Sequence, residues 1–156
     1  MSNRIKSESG FTMVETLVAL VVLAIGLLGI AALYLNSLQA GRTAIYRTQA
    51  VNLAADLADR IRVNRTATAA YGSAFATAFA EVPACFTTGG CTAAQLASSD
   101  LSRWKASLAQ LLPNGQGQVV VTPPVAPGDP TNYVVTVQWA EVGEVAPVTF
   151  QIGFAT

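Results

Sequence analysis

The run Leu17–Leu35 contains no charged residue, and a single acid, Glu15, stands just before it. A helix crosses the hydrocarbon core of a bilayer with about 20 apolar residues, and this run is close to that length. A carboxylate carried to the bilayer centre costs up to about 3 kcal/mol. That cost is normally offset by a partner, so Glu15 needs one.

The chain's 156 residues are enough for one domain with a modest core plus one extended element. Nine basic and nine acidic residues balance, so bulk charge gives no reason to expect nucleic acid or an anionic surface. The chain has no His, the commonest general base and metal ligand. Its Ser and Thr residues have no recognisable base beside them, and no Gly-rich phosphate loop joins a strand to a helix. No enzyme, cofactor or metal is expected. Cys85 and Cys91 are too few for a metal site and wrongly spaced for a redox C-x-x-C pair. With this part of the chain outside the cytoplasm, a structural disulfide is expected. The ring would enclose Phe-Thr-Thr-Gly-Gly and constrain the unfolded chain by about 2–2.5 kcal/mol.

Met1–Gly10 (MSNRIKSESG) is short and polar. A secretory signal has its cleavage site behind small residues after the apolar run. Ile30–Ala32 keeps that reading open, but the conspicuous small residue, Gly10, precedes the run. Arg4 and Lys6 weakly favour a cytoplasmic N-terminus, with Arg42 and Arg47 nearly balancing them. Ser9-Gly10-Phe11-Thr12-Met13-Val14-Glu15, followed by an apolar helix, resembles the class III signal of type IV prepilins and pseudopilins. The resemblance implies cleavage by a prepilin peptidase between Gly10 and Phe11, and N-methylation of Phe11. It also implies that Glu15, the fifth residue of the mature chain, pairs with the N-terminal amine of a neighbouring subunit and so sets axial register.

One continuous helix is expected from about Thr12 to Asn64, with no proline before Pro83 to break it. Its second half is amphipathic: Tyr46, Ala50, Leu53, Leu57 and Ile61 recur at spacings of three or four. Asp56 with Arg60 and Asp59 with Arg62 form helix-spaced ion pairs. Many major pilins have a kinking proline in the apolar half; none occurs in Leu17–Leu35, which argues against a bulk filament subunit.

Thr66–Ala80 reads either as a short helix or as an irregular strap. Thr92 with Gln95 forms a capping-box pattern. Leu96, Leu101, Trp104, Leu108 and Leu111 then form an apolar stripe, ended by Pro113-Asn114-Gly115. Asp100, Arg103 and Lys105 are expected on the solvated face of this helix. Gln118–Thr122, Asn132–Ala140 and the segment from Val148 read as strands, the last two as an antiparallel hairpin. Tyr133, Val135, Val137 and Trp139 alternate on one strand, and Val148, Phe150, Ile152 and Phe154 on the next. The Tyr46–Ile61 helix face is the natural cover for them.

The order of these elements, and the stretch Tyr46–Arg65 in particular, resembles the PilV family of minor pilins, proteins of type IV pilus modification and assembly. The fold expected is α+β: a long N-terminal helix, half of it transmembrane, packed against a small antiparallel sheet with a short extra helix. The expected divisions are a leader at 1–10, the transmembrane and assembly half of the helix at 11–42, and a periplasmic head at 43–156. The resemblance implies a minor pilin that enters type IV pili and helps prime their assembly, in the service of twitching motility and adhesion. Its implied partners are the prepilin peptidase, other minor pilins and the major pilin through the N-terminal helix, and a pilus tip adhesin. It implies an inner-membrane location before assembly, with a cytoplasmic N-terminus, and then a place in the surface pilus. The alternatives are a type II secretion pseudopilin and a DNA-uptake pilin. A DNA-uptake role would want a basic or aromatic stripe on the head. Arg60, Arg62 and Arg65 cluster, but Asp56 and Asp59 lie among them.

Overall fold

The structure, a computed structural model, describes residues 10–156. The leader expected at 1–10 lies outside the described residues except for Gly10. The first helix, α1, runs Met13–Val63 without interruption, within a residue of the expected bounds. The chain divides at Gly41/Arg42 into two units, which are described in turn.

In the first unit, α1 is long and apolar enough to cross a membrane. Its large side chains, from Met13 to Leu38, are all exposed on the chain itself. A helix that is apolar on every side has no face suited to water and belongs in lipid or among other helices.

In the second unit, α1 changes character. Ala50, Ala54, Leu57, Ala58 and Ile61 are fully buried, with Tyr46 and Leu53 packed at the margin. This is the expected face, with Ala54 and Ala58 added. Beyond the helix, Arg65–Tyr71 is a 3₁₀ segment interrupted at Thr68, where φ is 36°. Ser73 then bridges to Val119, with N···O distances of 2.9 and 2.8 Å. The segment that read as helix or strap is therefore a 3₁₀ turn followed by an irregular strap, with Tyr71 buried in the core.

The second helix, α2, spans Ala93–Leu111 and opens on the capping box: the Gln95 N–H donates to Thr92 Oγ1 at 3.3 Å, and the Thr92 N–H to Gln95 Oε1 at 2.9 Å. Its buried stripe is Ala97, Leu101, Trp104 and Leu108. Leu96 is only half-buried and Leu111 is exposed, because the stripe drifts around a helix of 3.6 residues per turn.

Three strands follow: β1 (Gln116–Thr122), β2 (Asn132–Trp139) and β3 (Val148–Ala155). They pair in the order β1-β2-β3, antiparallel throughout. The register sets Val119, Val135 and Ile152 in one row, and Val121, Tyr133 and Phe154 in the next. Tyr133 and Phe154 stack with ring centroids 5.4 Å apart. These rows face the core that holds the α1 and α2 stripes.

Trp104 joins the layers. Its indole N–H donates to the Leu53 carbonyl of α1 at 2.9 Å, and its ring lies over Gly117 of β1. A Cβ at Gly117 would come within 2.2 Å of that ring, so only glycine lets the strand approach so closely. Gly117→Ala should therefore displace Trp104 and destabilise the fold by about 1–3 kcal/mol, read as a lower unfolding midpoint of the detergent-solubilised protein. Unchanged stability would mean that the indole has room to move.

Candidate functional site

The expected site residues fall into two groups. Gly10 and Phe11 precede α1 and are exposed, Phe11 at 82 %. Thr12 caps the helix: its carbonyl accepts from the Glu15 N–H at 3.1 Å, and its Oγ1 accepts from the same N–H at 3.3 Å. Glu15 thus stands in the first turn, where a negative charge is favoured by the helix dipole, typically by about 0.3–1 kcal/mol. Among the described residues its carboxylate forms no ion pair. Locally, then, the helix end accounts for part of the acid's placement and leaves the charge open to a partner. The second group is Cys85 and Cys91, which are joined, with S–S 2.07 Å, across a ring on the strap.

A third constellation was not expected. Of the three residues expected on a solvated face, Arg103 is exposed as expected, but Asp100 and Lys105 turn inward. Asp100 is buried and accepts from Arg60 Nη1 at 3.0 Å and from the Tyr71 hydroxyl at 2.8 Å. Arg60 also donates to Asp56 at 3.0 Å. Asn64 Nδ2 donates to Tyr71 Oη at 3.2 Å and to the Ala93 carbonyl at 2.9 Å. Lys105 Nζ donates to the carbonyls of Ala74, Phe75 and Thr77, and Arg103 pairs with Glu81 and stacks over Phe86. Lys105 thereby satisfies three carbonyls of a strap whose backbone groups have little ladder of their own, and the other bonds hold its side chains Tyr71 and Glu81. The signal was in the spacing: Asp100 follows Ala97 by three and precedes Trp104 by four, and Lys105 follows Leu101 by four, so both lie on the buried side.

The network shifts the groups within it. Burial pushes the Tyr71 hydroxyl well up; the bond from Asn64 opposes this, and the bond donated to Asp100 reinforces it. Burial works to lower Arg60, but its bonds to Asp100 and Asp56 outweigh that and hold it above the ordinary arginine value. Lys105 is lowered by burial. Arg47 reaches Glu141 at 3.4 Å, tying α1 to the chain after β2.

An apolar groove of about 480 Å³ is lined by Thr68, Ala69, Gly72, Val121, Pro123, Pro124 and Thr131, with no acid, base or thiol among them. Among the described residues, no three His, Cys, Asp or Glu side chains gather where a metal could sit.

Comparison with known families bears on both units. Residues 5–31 match the prokaryotic N-terminal methylation motif. Residues 32–102 match the Tt1218-like family, described as type IV pilin Tt1218. Together the two matches support a type IV pilin. The first covers the Gly10–Glu15 region and most of the apolar run, so motif and helix together fit membrane anchoring. The second takes in the end of that run, the rest of α1, the disulfide ring and the first half of α2. Pilins are structural proteins that assemble with one another. The sheet lies beyond the matched residues, yet the α+β fold is the one expected of a pilin. No curated protein and no solved structure gives a significant match.

The raised Tyr71 hydroxyl predicts an alkaline limb in stability. The unfolded chain releases this proton near pH 10, whereas the folded chain keeps it. The stabilisation is present below about pH 10 and is lost as pH rises beyond it. Lys105 acts in the opposite sense, since the folded chain releases its proton first. Subtracting the Tyr71→Phe stability curve from that of the unchanged protein isolates the tyrosine. The difference, measured by urea unfolding, should be flat from pH 7 to about 9.5 and fall above about 10. A difference that stays flat at high pH would contradict the burial and bonding described for Tyr71.

Proposed function

We propose that the chain is a minor pilin of the PilV kind. A prepilin peptidase cuts between Gly10 and Phe11, Phe11 is N-methylated, and the subunit leaves the inner membrane for a type IV pilus. The observation that carries this is the methylation motif at residues 5–31, leading directly into an exposed apolar helix with Glu15 in its first turn. The proposed divisions are the leader at 1–10, the assembly half of α1 at 11–42 and the periplasmic head at 43–156, held in part by the Cys85–Cys91 ring.

The mechanism is an exchange of surroundings. In lipid, the side chains of Phe11–Leu35 are covered by acyl chains; in a pilus, like helices cover them. Small residues at Gly26 and Gly29 allow close approach. The Glu15 carboxylate meets the amine that cleavage exposes on a neighbour, and the pairing fixes how far one subunit stands along the next. The partners this reading calls for are the peptidase, other minor pilins, the major pilin and a tip adhesin, with a role in priming assembly. A DNA-binding head is not favoured: Arg60 and Arg62 are held by Asp56, Asp100 and Asp59, and Arg62 also lies 4.7 Å from the centre of the Phe154 ring.

Glu15→Ala should leave the membrane pool intact and the Cys85–Cys91 bond formed. Its amount in sheared pili should fall on the order of a hundredfold, the equivalent of about 3 kcal/mol. Quantitative blotting of pili and membranes reads both. Undiminished incorporation would contradict the proposed pairing. Loss of protein secretion with pili unaffected would favour the pseudopilin instead.

A further inference from the structure

β3 is an open edge, and the hydrogen-bond pattern shows which groups it leaves free. Both the N–H and the C=O of Val119 bond to Ser73, so they point away from β2. Bonding alternates along an antiparallel ladder, so Val135, opposite Val119, bonds to the other side, toward β3. The exchange between Thr131 and Thr156, at 3.1 and 3.0 Å, has the same parity. Phe150, Ile152 and Phe154 therefore bond inward to β2. The N–H and C=O groups of Thr149, Gln151, Gly153 and Ala155 point out of the sheet. Among the described residues, none of these four has a backbone partner beyond the ladder.

Sheet edges are usually protected by charge, proline, a bulge or a covering segment. β1 has such a cover, the Ser73 bridge. β3 reads Val-Thr-Phe-Gln-Ile-Gly-Phe-Ala, with no charge and no proline, and it pairs with β2 along its whole length. Its inward row is also incomplete. Tyr133, Val135, Val137 and Trp139 are buried on β2, but Val148, Phe150, Ile152 and Phe154 on β3 remain half-exposed. Both the ladder and the core row stop one strand short.

We propose that β3 is a docking edge for an extended strand of another protein subunit. That strand is uncharged over about eight residues and apolar at every second position. That the partner is an extended strand follows from the outward row: donors and acceptors repeating every second residue match only another extended backbone. Its lack of charge and its apolar alternation follow from the side chains: β3 itself carries no charge, and in its half-exposed row Phe154 already lies under Arg62 while Phe150 and Ile152 need apolar neighbours. A second copy of β3 does not fit as well. Antiparallel pairing of two like strands is two-fold symmetric about an axis normal to the sheet, which reverses between copies the component of the Arg42–Val63 helix that runs along the sheet. Subunits with helices bundled from one membrane share one helix direction; this last exclusion alone rests on the function proposed above.

The test uses the full chain in detergent micelles and residue-resolved hydrogen exchange. The probe is a synthetic nine-residue peptide of the β3 sequence, Val148–Thr156, which has the stated chemistry and no head to constrain its direction. In the free protein, the amides of Thr149, Gln151, Gly153 and Ala155 should exchange fast, while those of Phe150, Ile152 and Phe154 are protected. The peptide should slow the first set by about tenfold or more and leave the second unchanged. A control peptide with proline at alternate positions should have no effect. The proposal is overturned if the outward amides are already protected in dilute protein, or if the peptide does not slow them. Protection that grows with protein concentration alone would assign the edge to a second copy and overturn it too. None of these readouts involves Gly10 cleavage or Glu15, so failure here is separate from failure of the minor-pilin reading.

Discussion

Backbone amides in hydrocarbon have no water to bond, so a chain segment enters a bilayer only with those groups satisfied internally. For Leu17–Leu35 this leaves the α-helix, and much else follows. The helix does not stop where the apolar run stops: α1 continues to Val63, and its second half has one buried side. That half needs a cover. α2 and the three-stranded sheet supply it, and Trp104 joins all three by bonding to α1 while lying over Gly117, the one residue of β1 without a Cβ.

The strap from Arg65 to Cys91 is the least regular part of the head. Few of its backbone groups belong to a ladder, and it is held by side chains sent from the two helices. Asp100 fixes Tyr71, Asn64 joins Tyr71 to the start of α2, and Lys105 gathers three strap carbonyls. Hydrogen bonds to charged groups contribute about 1.5–3 kcal/mol each when buried. The disulfide closes a small ring within the same strap. Ions and one covalent link thus take the place of a regular core layer.

How much of this was legible before the structure follows from which signals are local. The period of α1 and the alternation of β2 and β3 are properties of neighbouring residues, and all three elements appear within a residue or two of their expected bounds. Thr68, with φ of 36°, and the 3₁₀ turn around it are set by tertiary packing, and no local pattern announces them. Asp100 and Lys105 were misplaced because their charge was weighted above their spacing. The candidate N-terminal site is a different case. Under the proposed function Gly10, Phe11 and Glu15 are read by a peptidase and by a neighbouring chain, so the geometry of one chain adds only the Thr12 cap and the exposure of the helix. The edge of β3 was invisible in the sequence, because strand order and bonding parity decide it.

The proposed function depends on Glu15 meeting an amine that exists only after the first ten residues are gone. The direct measurement is the intact mass of this subunit recovered from pili. The predicted mass is that of Phe11–Thr156 plus one CH2, since the methyl group replaces an amine hydrogen, and minus the two hydrogens lost to the disulfide. A pilus-borne subunit whose mass still includes Met1–Gly10 would contradict it, because the amine facing Glu15 would never have been formed.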